Sequence, residues 1–80
     1  MTRTQVQLDG PRLRARRREL GLTLNELAEL LRQNAGIEVS FQSIHAYEKG
    51  TRSPRVRTFL HLCEVLGVGP QELVTIEGGL

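Results

Sequence analysis

The stretch TLNELAELLRQNAGIEVSFQSIHAYEKGTRSP, residues 23–54, decides the fold of this chain. It opens on Thr23 with Glu26 three residues later, the Ser/Thr-x-x-Glu pattern of a capping box. Leu24, Leu27, Ala28 and Leu31 then recur at i, i+3, i+4 and i+7, which is the core face of a helix fading between Gln33 and Gly36. Ser40 is the N-cap of a second helix, about Phe41 to Lys49, stopped by Gly50. Between them Ile37, Glu38 and Val39 alternate in polarity but are too few for a strand. Thr51, Arg52, Ser53 and Pro54 follow as a loop.

Outward from this stretch the same rules place further elements. Asp9-Gly10-Pro11 starts a helix running to about Leu20, with Gly21 as its left-handed terminator. A helix is expected from about Val56 to Leu66, with Val56, Phe59, Leu60, Cys63 and Leu66 on one face and Gly67 at its end. Gly69-Pro70 opens a short fifth helix carrying Leu73 and Val74. The fold class expected is all-α: five short helices around one apolar cluster. Residues 1–10 form an N-terminal arm, 11–74 the domain, and 75–80 a tail that is flexible or forms an interface. Val6/Leu8 and Val74/Ile76 both alternate, a pattern that lets them pair as short strands within one chain or between two.

Composition narrows the function classes. Eighty residues make one domain. A chain this short buries roughly 60% of its unfolded surface, so its stability is marginal or helped by self-association. Hydrophobic content of 39% with 4% aromatics suits a small helical core. No apolar run approaches the roughly 20 residues a membrane span needs. MTRTQVQLDG has no apolar signal region, and one cysteine provides no disulfide framework, so a cytoplasmic location is expected. Net charge is only +2, but it is unevenly spread. Residues 1–18 carry six arginines and one acid, Asp9, and residues 49–57 carry Lys49, Arg52, Arg55 and Arg57 with no acid. Two basic blocks thus flank the paired helices. Nothing in the pattern supports catalysis, a cofactor or a metal. His45, His61 and Cys63 do not make a four-ligand zinc spacing, and Cys63 reads as a small core hydrophobe.

A capped helix, a connection, a short helix and a basic loop are the layout of a helix-turn-helix, whose second helix enters the DNA major groove. Residues 13–73 resemble the lambda-repressor-like, Xre-type family. The resemblance rests on LRARRRELGLTLNELAELL, VSFQSIHAYEKGTRSP and RTFLHLCEVLGVGPQEL, and most specifically on Leu27-Ala28, Ile44-x-x-Tyr47-Glu48-x-Gly50, Pro54 and Leu66-Gly67-Val68. The chain departs from the family in four places. Residues 32–38 enlarge the connection between the second and third helices. Leu24 replaces a phosphate-bonding glutamine, Arg16 an apolar residue, and Cys63 an alanine.

Ile44 and Tyr47 lie three apart and face the core, which leaves Phe41, Gln42, His45 and Ala46 as the outward set. The resemblance places the family's base-contacting positions on these four. Gln42 can pair with adenine N6/N7, His45 can donate to guanine or reach a phosphate, and Phe41 and Ala46 can only make apolar contact. Phe41 can instead plug the core against residues 32–38. Ser40, Ser43, Lys49, Thr51, Arg52 and Arg55 are the phosphate or minor-groove candidates, with Arg55 assigned to a narrow minor groove. Arg12, Arg14, Arg16 and Arg18 face phosphates or solvent. The resemblance further implies an ion pair between Arg17 and Glu48 that fixes the third helix against the first. The function expected is sequence-specific binding of double-stranded DNA by a repressor-like transcriptional regulator acting as a homodimer. The alternative is a protein-interaction module, such as an antitoxin or a polymerase- or regulator-binding domain.

Overall fold

The computed structural model describes residues 4–78, and the side chains of residues 7–75. The elements run β1 (Thr4–Leu8), α1 (Gly10–Glu19), α2 (Leu24–Ala35), α3 (Phe41–Lys49), α4 (Val56–Leu66), a 3-10 turn (Pro70–Glu72) and β2 (Val74–Gly78).

Local chemistry starts each helix. The Asp9 side chain accepts from the Arg12 amide at 3.2 Å, and Pro11 stands in the first turn of α1. Thr23 and Glu26 close the capping box on α2: the Glu26 amide donates to Thr23 Oγ1 at 3.1 Å, and the Thr23 amide donates to Glu26 Oε1 at 2.8 Å. Ser40 Oγ accepts the Ser43 amide at the start of α3. Gly36, the C-cap of α2, adopts φ 65°. Gly50 ends α3 at φ 77°, a left-handed conformation that strains any residue with a Cβ. The enlarged connection therefore resolves into two parts: α2 continues to Ala35, and residues 36–40 carry the chain to α3.

Packing follows the expected periodicity in α2 and α3. Leu27, Leu31, Ile44 and Tyr47 join Leu13, Leu62, Cys63, Leu66 and Leu73 in one buried cluster, with α3 packed against both α1 and α2, and α2 against α4. In α4 the inward face is Leu62, Cys63 and Leu66, with Phe59 packed on their edge. Val56 and Leu60, expected on that face, are instead 74% and 47% exposed. They lie on the side of α4 turned toward the sheet, where they line a cleft with Leu8 and Val74.

The five-helix expectation is corrected at the C-terminus. A three-residue 3-10 turn replaces the fifth helix, and Leu73 directly after it is fully buried. Val74, expected in that helix, instead opens β2, which pairs antiparallel with β1 in the same chain. Val6 lies opposite Ile76 and Leu8 opposite Val74. Residues 70–73 are too few for a stable α-helix nucleus, and the alternation of Val74 and Ile76 suits a strand. The Asp9 amide donates to Leu73 O at 2.8 Å, and Thr75 Oγ1 donates to Asp9 Oδ2 at 3.3 Å, so Asp9 ties the sheet to α1. Arg3 of the first basic block, the Ile76 side chain and Leu80 lie outside the described residues.

Candidate nucleic-acid interface

The position of α3 is set from behind by one ion pair. Arg17 Nε donates to Glu48 Oε2 at 2.7 Å and Arg17 Nη2 to Glu48 Oε1 at 3.1 Å, a bidentate pair between α1 and α3. Arg17 is 8% exposed and Glu48 6%. The remaining terminal nitrogen, Nη1, donates to Leu22 O at 2.7 Å, so the guanidinium also holds the α1–α2 link. Hydrogen bonding to Glu48 raises the Arg17 pKa above the ordinary guanidinium value.

Pairing inward removes the one acid of α3 from its outer surface. The exposed residues of α3 are Phe41, Gln42, His45 and Lys49, with Ser43 and Ala46 half-buried. Phe41 is 41% exposed and lies outside the buried cluster, lining a cleft with Ala28, Arg32, Glu38 and Val39. Val39 is the residue of the 36–40 connection that packs on that cluster. Phe41 thus flanks the 32–38 connection on one side, beside α2, and meets solvent on the other. Leu24 is half-buried and packs on the core from the first turn of α2.

The loop after α3 folds back toward its start. Arg52 Nη1 donates to Ser43 Oγ at 2.9 Å, and Ser40 Oγ donates to the same oxygen at 3.2 Å. Thr51 Oγ1 donates to Ala46 O at 3.3 Å. A polar cleft of about 470 Å³ lies between α3 and the α4 start, lined by Ser40, Ser43, Ser53, Thr58, Arg52 and Arg55, with Glu38 its one acid. Lys49, Thr51, Arg52 and Arg55 are all exposed. Of the expected phosphate candidates, Ser40, Ser43, Arg52 and Arg55 share this cleft, and Lys49 and Thr51 are exposed outside its lining.

The arginines of α1 divide in a way the sequence did not signal. Arg16 Nε donates to Leu66 O at 2.9 Å, and Arg12 Nη1 donates to Glu72 O at 3.2 Å. Both satisfy carbonyls beyond the reach of the helix ladder, and Arg16 meets the negative end of the α4 dipole. Arg14 and Arg18 are exposed. The only available signal was the i, i+4 spacing of Arg12 and Arg16, which puts them on one face; what that face meets is a tertiary matter.

Cys63 is buried, and burial pushes its thiol pKa up, away from a reactive thiolate. Among the described residues, no three His, Cys, Asp or Glu side chains converge as a metal site, and no helix is long and apolar enough to cross a membrane.

No curated protein and no solved structure matches the chain. A family model described as "Helix-turn-helix domain" matches residues 10–75, from the start of α1 into β2. Capped α2 and α3, packed on each other and joined by residues 36–40, are the two helices that give the motif its name. On that match and this geometry, the chain belongs to the helix-turn-helix domain family, a membership that points to DNA binding and transcription regulation.

Proposed function

We propose that this protein is a sequence-specific, double-stranded DNA-binding transcriptional regulator of repressor type, working in the cytoplasm at the nucleoid. Its α3 enters the major groove, and Gln42 and His45 contact base edges. The observation that carries this reading is the outer face of α3. It exposes Phe41, Gln42, His45 and Lys49 and no carboxylate, because Glu48 is buried against Arg17. An acid there would repel phosphate. Ser40, Ser43, Lys49, Thr51, Arg52 and Arg55 supply backbone contacts, and these carry much of the affinity. The protein acts by occupying its site and needs no cofactor.

A homodimer would double the reading and impose half-sites about one helical turn apart. The surface that favours it is a cleft of about 350 Å³ lined by Leu8, Pro54, Val56, Phe59, Leu60 and Val74 with Gln7 and Ser53, and by no charged side chain. A two-fold contact sets identical surfaces together, so a charged lining would repel itself and this one does not. The same cleft favours the second reading, a protein-interaction module with a different partner.

The test is retention of labelled genomic DNA fragments in excess nonspecific competitor, by wild type and by a Gln42→Ala/His45→Ala variant. Selective retention of a palindromic fragment, lost in the folded variant, supports base reading by α3. Equal retention of all fragments by both proteins would sink it. Retention of none would sink it as well and direct attention to a protein partner.

A further inference from the structure

The chemistry of the exposed α3 face restricts what it can read. No arginine or lysine precedes Lys49 on α3, so the strongest guanine readers are missing from its first two turns. The hydroxyls of the first turn are turned from the bases: Ser40 caps the helix, and Ser43 accepts from Arg52 and belongs with the phosphate contacts. What remains exposed at the N-terminal end, the end that reaches base edges in this motif, is the Phe41 ring beside the Gln42 amide. Phe41 is 41% exposed and outside the buried cluster, with α2 and Glu38 on one side of it and solvent on the other. Among base edges in the major groove, the one apolar group is the C5 methyl of thymine. Desolvating an aromatic ring against polar edges would gain nothing, whereas packing it on a methyl removes apolar area from water on both sides.

We infer that Phe41 reads the 5-methyl group of a pyrimidine, thymine in ordinary DNA, next to an adenine recognised by Gln42. The ligand class is thus an A·T-bearing major-groove step carrying a 5-methyl group, and 5-methylcytosine supplies the same group. This assignment rests on the DNA-reading function proposed above. It deepens that reading by naming the feature that sets specificity. Phe41 and His45 are four apart, as are Gln42 and Ala46, so two rows run along the helix with the methyl reader and the adenine reader side by side at its start.

The test begins with selection of bound duplexes from a randomised pool by the wild-type protein. Thymine is then replaced by uracil, position by position, in the selected site, which deletes only the methyl. Dissociation constants are measured by fluorescence anisotropy for wild type, Phe41→Ala and Phe41→Leu. Wild type should lose about fourfold at one or two positions, the factor for one methyl-sized group. Phe41→Ala should bind the thymine and uracil forms equally there, and Phe41→Leu should keep part of the difference. Wild type binding every uracil form as tightly as thymine overturns the assignment, whatever the variants do. So does an unchanged thymine-to-uracil loss in Phe41→Ala. A pool in which wild type enriches no sequence removes DNA reading itself and the methyl assignment with it.

Discussion

Gly10, the first residue of α1, lies directly on the backbone of Glu48 near the end of α3: a Cβ added at Gly10 would fall 2.2 Å from the Glu48 carbonyl oxygen and 2.8 Å from that of Tyr47. Both neighbours are main chain, so no side chain can swing away. The contact sets how closely α1 approaches the back of α3. Gly10→Ala should therefore destabilise the fold by about 1–3 kcal/mol, the range for overpacking a tight interior. Urea unfolding monitored by circular dichroism measures it, and an unchanged midpoint would show that α1 shifts freely.

The neighbouring ion pair gives an asymmetric prediction. Arg17→Met or Glu48→Leu alone leaves a buried charge without its partner and should cost on the order of 3–5 kcal/mol. The double variant removes both charges and should be clearly less destabilised than the sum of the singles. A double-mutant cycle on unfolding free energies reports the coupling; strict additivity would mean that the pair does not hold α1 and α3 together.

Arginines in two parts of the chain should separate by salt dependence. Arg52→Gln should weaken binding to all DNA sequences alike and lower the salt slope by about one. Arg16→Gln loses the bond to Leu66 O and should lower thermal stability while leaving the salt slope as in wild type. Anisotropy titrations at several salt concentrations, with melting curves, separate the two. A reduced slope in Arg16→Gln would return that residue to the phosphate contacts.

At acid pH the cap of α2 should weaken. The Glu26 pKa is lowered by the Thr23 backbone hydrogen bond, and that of Glu29 by Arg32. A carboxylate held below its unfolded value stabilises the fold above about pH 4.3 and loses that contribution as pH falls through the lowered pKa. Melting temperatures measured from pH 6 to pH 3 should fall in wild type and fall less in Glu26→Gln/Glu29→Gln. Identical pH profiles would remove both groups from the acid response.

The end of the domain offers a packing test. Leu73 is fully buried although only a three-residue 3-10 turn precedes it, so Leu73→Ala should cost about 2–5 kcal/mol. Val56→Ala, at an exposed position on α4, should change monomer stability by less than about 0.5 kcal/mol. If the apolar cleft is the dimer contact, Val56→Asp should shift sedimentation toward the monomer without lowering the melting temperature of dilute protein.

The helices were legible because their signals are local. Thr23 with Glu26, Ser40, and the glycines at 21, 36, 50 and 67 act within a few residues, and each marks an end in the structure. The core face of α2 follows from its 3.6-residue period. In α4 the same period misplaced Val56 and Leu60, since two apolar stripes were present and only the neighbours decide which faces inward. The fifth helix failed because residues 70–76 carry weak local preference, and β1 supplies a strand partner from the far end of the chain.

The candidate site divides along the same line. Sequence alone determined the order of the helices, the motif and the inward positions Ile44 and Tyr47 of α3, for caps and periodicity are properties of short segments. Tertiary structure alone decided that Phe41 stays exposed while Val39 packs, that Arg12 and Arg16 serve carbonyls of the α4 end and the 3-10 turn, that Arg52 returns to Ser43, and that Gly10 must lack a side chain. Each of these depends on which surfaces meet across long sequence separations. A solvated arginine and one bonded to a distant carbonyl have the same local sequence, and only the folded chain distinguishes them.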